Sequence, residues 1–246
     1  MKIALVGYGK MGKAIEQIAL ERGHTIVAKI TKDHTIEDAD LTNADVAIDF
    51  STPHAVLANI HFLVSNKIPS VIGTTGWNDS LKEVTQKVLA NDTVLLHASN
   101  FSIGVNIFFQ LNEELAKLMN PYKDYTVEME EIHHTQKLDA PSGTAITLAE
   151  GVIKNHGSYN SWNCPQNEKR NIEAQDSIKI EAIREHDVKG THSIYYQSDI
   201  DTITITHEAH NRKGFALGAV IAAEWIIGKK GVYTMRDLMK YETNNS

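Results

Sequence analysis

The residues best suited to chemistry lie in one short segment, Glu131 to Ala145, which contains two adjacent histidines and a lysine. Histidine transfers protons near neutral pH, and the amine of a lysine acts as an acid or binds a carboxylate. A strand end, a loop and a helix start are expected in succession here. We therefore predict that His133 and Lys137 carry proton chemistry.

The helix start in the same segment, Ser142-Gly143-Thr144, predicts a binding site for an anion. Its backbone N–H groups are expected to be free to bind a carboxylate. Two structural interpretations stay open from the residues alone: a strand-end histidine pair and an ordinary helix start after Pro141. A metal site is not expected, because His133 and His134 are adjacent on a strand and point to opposite faces.

A glycine-rich turn near residue 7 predicts a dinucleotide site. The apolar run Ile3 to Val6 is followed by Gly-x-Gly-x-x-Gly and then by apolar residues at helical spacing. The first glycine permits a tight turn, the second admits a pyrophosphate and the third permits close packing. A glycine-rich turn without a ligand is the alternative. The predicted contacts are Gly7, Tyr8, Gly9, Lys10, Met11 and Gly12.

The end of the second predicted strand bears on the choice of cofactor. NAD-binding folds place an acidic residue roughly 20 positions after the glycine turn, where it binds the ribose 2′-hydroxyl. This sequence has Thr31 and Lys32 there, with Asp33 next. The strand-end carboxylate that would repel a 2′-phosphate is missing, and Lys32 could pair with the phosphate, although a solvated surface lysine is the alternative. We expect NADH or NADPH as the cofactor.

Two further turns follow predicted strands and are expected at the nicotinamide end. Open α/β sheets bind ligands at the carboxyl ends of their strands. Ordinary loops are the alternative, since glycine and threonine are common in turns. The predicted contacts are Gly73, Thr74 and Thr75 after the fourth strand, and Ala98, Ser99, Asn100 and Phe101 after the fifth.

Short apolar runs alternate with helix-compatible segments over the first hundred residues, which predicts parallel strands joined by crossover helices. From about Asn100 this alternation ends, and the pattern predicts a long amphipathic helix. Further strands are predicted at residues 125–133, 178–183, 192–196 and 202–207, helices at 144–153 and around 215–226, and a polar loop at 155–176.

These patterns predict an α/β protein of two domains. A Rossmann-type parallel sheet is expected in the dinucleotide-binding domain, residues 1–102 and 213–246. Residues 103–212 are expected to form an α+β domain for substrate binding and oligomerisation, with a mixed, largely antiparallel sheet.

The amino-acid composition limits the kinds of binding partner that we expect for this protein. The 24 basic and 31 acidic residues give a net charge of -7, which would repel a nucleic acid backbone. The single cysteine, Cys164, excludes an internal disulfide. No secretory signal is recognised, and no run approaches the roughly 18 apolar residues of a membrane span. We expect a soluble cytoplasmic protein without nucleic acid or membrane partners.

The segment Glu131 to Ala145 closely resembles the signature of the 4-hydroxy-tetrahydrodipicolinate reductase (dihydrodipicolinate reductase) family of lysine biosynthesis. The combination of His-His with Lys-x-Asp-Ala-Pro-Ser-Gly-Thr is highly specific. Arg184 and His192 also align with an arginine and a histidine of the family. Further matches follow the family's order along nearly the whole chain: residues 7–12, 48–50, 73–76, 100–102, 104–106, 215–216 and 218–219.

The resemblance implies a cytoplasmic homotetramer that uses NADH or NADPH and acts on a small dicarboxylate. It implies that His133 donates and accepts a proton and that Lys137 donates one. His134 and the amides of Gly143 and Thr144 would bind the carboxylates of the substrate. The implied reaction removes the ring hydroxyl and delivers hydride to the resulting conjugated imine.

Two other functions remain open at this stage. One is a different two-domain NAD(P) oxidoreductase, such as an amino-acid or sugar dehydrogenase, although the anion site at Ser142-Gly143-Thr144 argues against a neutral sugar. The other is a non-catalytic dinucleotide sensor, which would not need both His133 and Lys137.

Overall fold

A computed structural model describes residues 1–168, 170, 174–211 and 213–244 of the chain. The chain divides into two compact units. Unit 1 comprises residues 1–106 and 213–246, and unit 2 comprises residues 107–212.

Unit 1 is built on a six-stranded sheet in which every pairing is parallel. The strands are β1 (Lys2–Val6), β2 (Thr25–Ile30), β3 (Val46–Asp49), β4 (Ser70–Ile72), β5 (Val94–His97) and β11 (Gly231–Thr234). Their order across the sheet is β11-β5-β4-β3-β1-β2. This sheet confirms the predicted Rossmann-type fold.

Helices cover both faces of this sheet, and residue alternation in the strands explains why. Ile3 and Leu5 of β1 pack into one apolar core, whereas Ala4 and Val6 pack into the other. A strand buried on both faces therefore reads as a continuous apolar run. The helices of unit 1 are α1 (Lys10–Glu21), α2 (Val56–Ser65), α3 (Leu81–Ala90), α6 (Lys213–Ile226) and α7 (Met235–Asn244).

Unit 2 contains a five-stranded mixed sheet and helix α5 (Gly143–Asn155), and α4 (Ile103–Met119) begins in unit 1 and ends in unit 2. The strands are β6 (Thr126–His134), β7 (Ser161–Asn163), β8 (Ser177–Glu185), β9 (Thr191–Gln197) and β10 (Thr202–Glu208), in the order β10-β9-β6-β8-β7. β9 pairs antiparallel with β6 and β10, whereas β8 pairs parallel with β6 and β7.

The second sheet is mixed, as predicted, and most of its residue pairs are antiparallel. The parallel pairs arise because the long connection through α5 returns the chain to the same end of the sheet, and such a crossover produces parallel neighbours. The expectation of a loop over 155–176 is wrong in part, because α5 extends to Asn155 and β7 lies within the segment. Residues 169 and 171–173 of that segment lie outside the described residues.

Strand β6 determines where the chemistry of unit 2 lies. Its buried residues alternate, and Val127 and Met129 face an apolar core shared with α4 and α5. Glu131 and His133 continue the same alternation on the same face. The strand thus carries polar residues into core positions at its carboxyl end. Within the part of the chain that the structure describes, no helix has the length and apolar character needed to cross a membrane.

Candidate active site

A cavity of about 750 Å³ lies at the carboxyl ends of β1, β2 and β3 in unit 1. The chain leaves β1 towards β2 on one side and continues from β3 to β4 on the other, so the cavity lies where the strand order reverses. Open α/β sheets bind nucleotides at such a point. The lining residues are 6–9, 30–38, 50–52, 55, 58 and 59, which include Gly7, Tyr8, Gly9 and Lys32.

The glycine turn has the backbone geometry that a dinucleotide requires. Gly7 has φ of +88°, and a Cβ atom there would lie 2.3 Å from the carbonyl oxygen of Phe50. At Gly9, which lines the cavity, a Cβ atom would meet nothing within 4 Å, so a phosphate can approach the backbone. The turn therefore fits the predicted cofactor. Lys10, Met11 and Gly12 form the first turn of α1 and are not among the lining residues.

Tyr8 is held in place by a pair of charged residues that the sequence analysis did not single out. Its hydroxyl donates to the carboxylate of Glu16, and Lys29 Nζ lies 2.6 Å from the same carboxylate and 4.8 Å from the centre of the tyrosine ring. The hydrogen bond from Lys29 lowers the pKa of Glu16. These contacts fix the ring of Tyr8 at the edge of the cavity.

Asp49, the last residue of β3, organises the wall of the cavity. Its carboxylate is fully buried and accepts hydrogen bonds from the Ser51 amide at 2.9 Å and the Ser51 hydroxyl at 2.8 Å. It also accepts from Thr74 Oγ1 at 2.6 Å and from Asn59 Nδ2 at 2.8 Å. Because Ser51 and Asn59 line the cavity, Asp49 sets the positions of two of its polar groups.

The two turns assigned to the nicotinamide end lie after β4 and β5, as expected, but none of their residues lines the described cavity. Thr74 is buried and bonded to Asp49, whereas Thr75 is exposed. Phe101 is buried, and its ring packs 5.7 Å from that of Phe50. Ala98, Ser99 and Asn100 are partly or largely exposed in the same turn.

In unit 2, His133 lies at the end of β6 with little of its side chain exposed. Burial lowers the pKa of His133, and the carboxylate of Glu131 acts in the opposite direction. His134, the next residue, is half-buried on the opposite face of the strand. The two histidines therefore have different surroundings, which permits different roles.

Lys137 lies in the loop after β6 and forms a salt bridge with Asp139. Its ammonium contacts both carboxylate oxygens, at 2.8 and 2.7 Å. Burial works to raise the pKa of Asp139, but the salt bridge with Lys137 and the charge of Arg184 hold that pKa below its ordinary value. Lys137 is thus a positive charge near His133, with an ionised carboxylate beside it.

Ser142 differs from the expectation, because its polar atoms already have partners in the protein. Its amide donates to Glu131 Oε2 at 3.0 Å, so the expectation of a free N–H at this residue is wrong. Its hydroxyl accepts from the amide of Ala145 at 3.2 Å as the N-cap of α5, and is hydrogen-bonded to His192 Nε2 at 3.0 Å. Gly143 and Thr144 form the first turn of that helix.

The residues that sequence reasoning gave no role are Glu131, Asp139 and Asp49. A signal for Glu131 was present, since a carboxylate at the next core position after Val127 and Met129 must find partners. Its partners could not be found from local spacing, because Arg184 lies on another strand. Arg184, aligned only by resemblance, is a direct partner of Glu131, at 3.2 Å.

A metal ion is one further occupant to consider in this cluster. Glu131, His133 and His192 each offer one ligand atom, and these atoms lie within 4.8 Å of one another. The carboxylate of Glu131, however, already accepts hydrogen bonds from Arg184 and from the Ser142 amide, and the guanidinium would repel a cation. These contacts disfavour a metal ion in this cluster.

The fold and the cavity at the glycine turn are those of an NAD(P)-dependent oxidoreductase, and the polar cluster at the end of β6 lies in its second unit. Comparison with known proteins identifies the family. The family model "Dihydrodipicolinate reductase, N-terminus" matches residues 1–101, and "Dihydrodipicolinate reductase, C-terminus" matches residues 104–239. The chain therefore belongs to the dihydrodipicolinate reductase family.

Individual relatives agree with this assignment. The chain is 48% identical to 4-hydroxy-tetrahydrodipicolinate reductase of Christiangramia forsetii over 97% of this chain and 98% of the relative. It is 36% identical to the enzyme of the same name from Rickettsia rickettsii, over 94% and 95% of the two chains. A solved dipicolinate-bound dihydrodipicolinate reductase from Paenisporosarcina sp. TG-14 superposes with a TM-score of 0.75 at 25% identity, over 95% and 97% of the chains.

The network around Asp49 generates a prediction for cofactor binding. Asp49→Asn removes the charge that four donors share, and hydrogen bonds to a charged group contribute about 1.5–3 kcal/mol each. We expect a lower stability to urea and an NADH affinity weakened by about tenfold, because Ser51 and Asn59 are released. Fluorescence titration with NADH measures the affinity. Asp79→Asn, the same change at an exposed position, is the control; equal NADH affinity in both variants would contradict the role of Asp49.

Proposed function

We propose that this chain reduces 4-hydroxy-tetrahydrodipicolinate to tetrahydrodipicolinate in the biosynthesis of lysine and diaminopimelate. The overall balance is substrate, NAD(P)H and one proton giving product, NAD(P)⁺ and water. The observation that carries the proposal is the cluster at the end of β6, where His133, Lys137 and the first turn of α5 lie in one segment of unit 2. Family membership supplies the identity of the substrate.

His133 is the residue that moves a proton in this scheme. Its lowered pKa keeps the ring neutral near neutral pH, so it is ready to accept the proton from the substrate carbon next to the one that bears the hydroxyl. The nearby carboxylate of Glu131 then stabilises the imidazolium. The imidazolium gives this proton to the departing hydroxide, which leaves as water, and the ring becomes neutral again.

Lys137 supplies the second acid. The reduced cofactor, held by unit 1, contributes a hydride to the conjugated imine, and the electron-rich product of that addition needs a proton. Lys137 carries that proton as an ammonium group, and Asp139 orients it in the absence of substrate. A dicarboxylate substrate provides a competing partner for the same charge.

The carboxylates of the substrate bind at the start of α5 and at His134. A helix N-terminus favours an anion through its partial positive charge. Gly143 supports this role because a Cβ atom there would meet nothing within 4 Å, which leaves room for a ligand against the backbone. Ser142 contributes indirectly, since its amide and hydroxyl hold the helix start in place.

Both NADH and NADPH serve as the cofactor. Thr31 and Lys32 line the cavity at the end of β2, where an NAD-specific fold would carry a carboxylate. Residues 1–102 and 213–246 form the dinucleotide-binding domain, and residues 103–212 bind the substrate and mediate assembly. The nicotinamide end is bounded by Gly73, Thr74, Thr75 and the turn from Ala98 to Phe101.

The protein is a cytoplasmic homotetramer assembled through unit 2. The edge strand β10 and the turn before it support this assembly, because Ile200 and Ile203 are 90% and 39% exposed. Apolar side chains at a sheet edge favour association with another chain. The single cysteine, which is buried, is compatible with a reducing compartment.

The roles of His133 and Lys137 predict a specific pattern of kinetic defects with substrate formed freshly from pyruvate and aspartate semialdehyde. Lys137→Ala and His133→Gln each lower kcat by roughly 10²–10⁴-fold with NADH affinity nearly unchanged, as for a lost general acid or base. His133→Gln also removes a pH-rate inflection below 6.5.

His134→Gln raises the KM for substrate more than it lowers kcat. Lys154→Ala, on the exposed side of α5, is the control. Near-normal turnover of Lys137→Ala would refute its role.

The cofactor proposal predicts a selective effect at Lys32. Lys32→Asp replaces a partner for the 2′-phosphate by a repulsive charge, so NADPH affinity falls by roughly tenfold or more while NADH affinity changes little. Fluorescence titrations with both cofactors measure the ratio. Lys82→Asp, an exposed change away from the cavity, leaves the ratio unchanged. Equal losses for the two cofactors would show that Lys32 does not contact the ribose phosphate.

The assembly proposal predicts a particle of about four times the 27.4 kDa chain mass in light scattering. Ile200→Asp places a charge on the exposed turn and shifts the protein to smaller particles, because a buried unpaired charge weakens an interface. A monomer in the unmodified protein would contradict the homotetramer.

A further inference from the structure

Glu131 is a fully buried carboxylate at a position where the strand pattern calls for an apolar residue. It follows Val127 and Met129 on the core-facing side of β6 and has no exposed surface. A charge in such a position is costly unless it is paired and hydrogen-bonded. Its partners therefore indicate what the residue does.

Those partners come from four different segments. Oε1 accepts from Arg184 Nη2 of β8 at 3.2 Å, and Oε2 accepts from the amide of Ser142 at 3.0 Å. Oε2 also lies 3.4 Å from Nδ1 of His133 and 3.7 Å from Nε2 of His192. Nδ1 of His133 is buried, and it makes no hydrogen bond to any described residue. Glu131 thus places a carboxylate oxygen close to a buried nitrogen that otherwise has no hydrogen-bond partner among the described residues.

We propose that Glu131 is a positioning residue for His133, which it keeps protonated at Nδ1 so that Nε2 exchanges the proton with the substrate. This inference rests on the proposed role of His133. It extends that role, because it assigns the tautomer of the ring and the group that determines it. A carboxylate beside one ring nitrogen fixes the proton there and orients the ring.

A glycine lies against the opposite side of the ring. A Cβ atom at Gly190 would lie 3.1 Å from Nε2 of His133 and 3.3 Å from its Cδ2. Gly190 has φ of +147°, a conformation that other residues rarely adopt. Nε2 therefore borders backbone without a side chain, whereas Nδ1 borders the buried carboxylate. This asymmetry supports Nε2 as the nitrogen that reacts.

Glu131 also connects His133 to the loop that carries Lys137. Arg184, which pairs with Glu131, donates from Nε to the carbonyl of Lys137 at 3.3 Å and from Nη2 to the carbonyl of Asp139 at 2.6 Å. The amide of Ser142 ends the same loop. The carboxylate of Glu131 therefore contacts His133 and the start of α5 directly, and it contacts the loop that carries Lys137 through Arg184.

The charged groups around His133 determine how its pKa responds to loss of Glu131. Lys137 of the loop and Arg184 of β8 lower it, Glu131 and Asp139 raise it, and burial lowers it most. His192 of β9 lies with its ring 5.1 Å away, and burial lowers its pKa to about 3, so it is neutral near neutral pH. Without the carboxylate of Glu131, the positive charges of Lys137 and Arg184 are no longer balanced by it. The pKa of His133 should therefore fall.

The first experiment reads the tautomer of His133 in the unmodified protein. Long-range ¹H–¹⁵N spectra of labelled protein are recorded without substrate and with a chelator, so that a metal ion bound to the cluster contributes nothing. The expected result is a neutral ring protonated at Nδ1. A ring protonated at Nε2 would overturn the proposal, and this measurement needs no variant to fold.

The second experiment compares Glu131→Gln with Glu128→Gln, which removes the same charge from an exposed position of the same strand. In Glu131→Gln the NMR-detected pKa of His133 falls by about half a unit or more, and the ring shifts toward the Nε2–H tautomer. The kcat falls about tenfold or more while the KM for NADH is unchanged. Glu128→Gln matches the unmodified protein. A His133 pKa that stays or rises in Glu131→Gln would overturn the proposal.

The tautomer and the pKa of His133 test the role of Glu131 independently of the proposed reaction. The tautomer and the pKa are measured without substrate or turnover. If the unmodified protein lacks reductase activity, the proposed reaction fails while the tautomer result stands. If the protein is active but its ring is protonated at Nε2, the reaction stands and the role of Glu131 fails.

Discussion

The cost of burying the Glu131 carboxylate determines how the segments at the carboxyl end of β6 are arranged. An unpaired charge in an apolar core is strongly unfavourable, so the chain must bring donors to it. Arg184 and the Ser142 amide meet this requirement, and both also contact or end the loop after β6. The loop with Lys137 and the helix start with Gly143 are therefore held by the same carboxylate that lies beside His133.

Unit 1 also contains a buried carboxylate whose hydrogen-bond donors come from several segments. Asp49 is a second fully buried carboxylate near the end of a strand, and its four donors come from the following loop, from α2 and from the turn after β4. Each unit thus has one buried carboxylate that connects several segments beside its candidate site. Pre-organisation of this kind places polar groups without further loss of conformational freedom on binding.

Local patterns in the sequence explain which features could be predicted. The glycine turn and the alternation of apolar runs with helices depend on neighbouring residues, and the parallel sheet of unit 1 confirmed them. The contact between Glu131 and Arg184 joins residues on different strands, so the spacing of neighbouring residues in the sequence cannot predict it. Strand β7 is three residues long and too short for a pattern, and the parallel pairing of β8 depends on the crossover through α5. The segment from Glu131 to Ala145 was found because its residue types are unusual together, whereas the partners that hold it required the fold.

The central claim is that this chain transfers hydride to a cyclic imine while its own residues supply the protons. The most direct measurement uses NADH that carries deuterium at the transferred position of the nicotinamide, with substrate freshly condensed from pyruvate and aspartate semialdehyde. Mass spectrometry of the product should show one deuterium, and oxidation of NADH should require the condensed substrate. Binding of NADH without substrate-dependent transfer of deuterium would contradict the account and would favour a dinucleotide sensor.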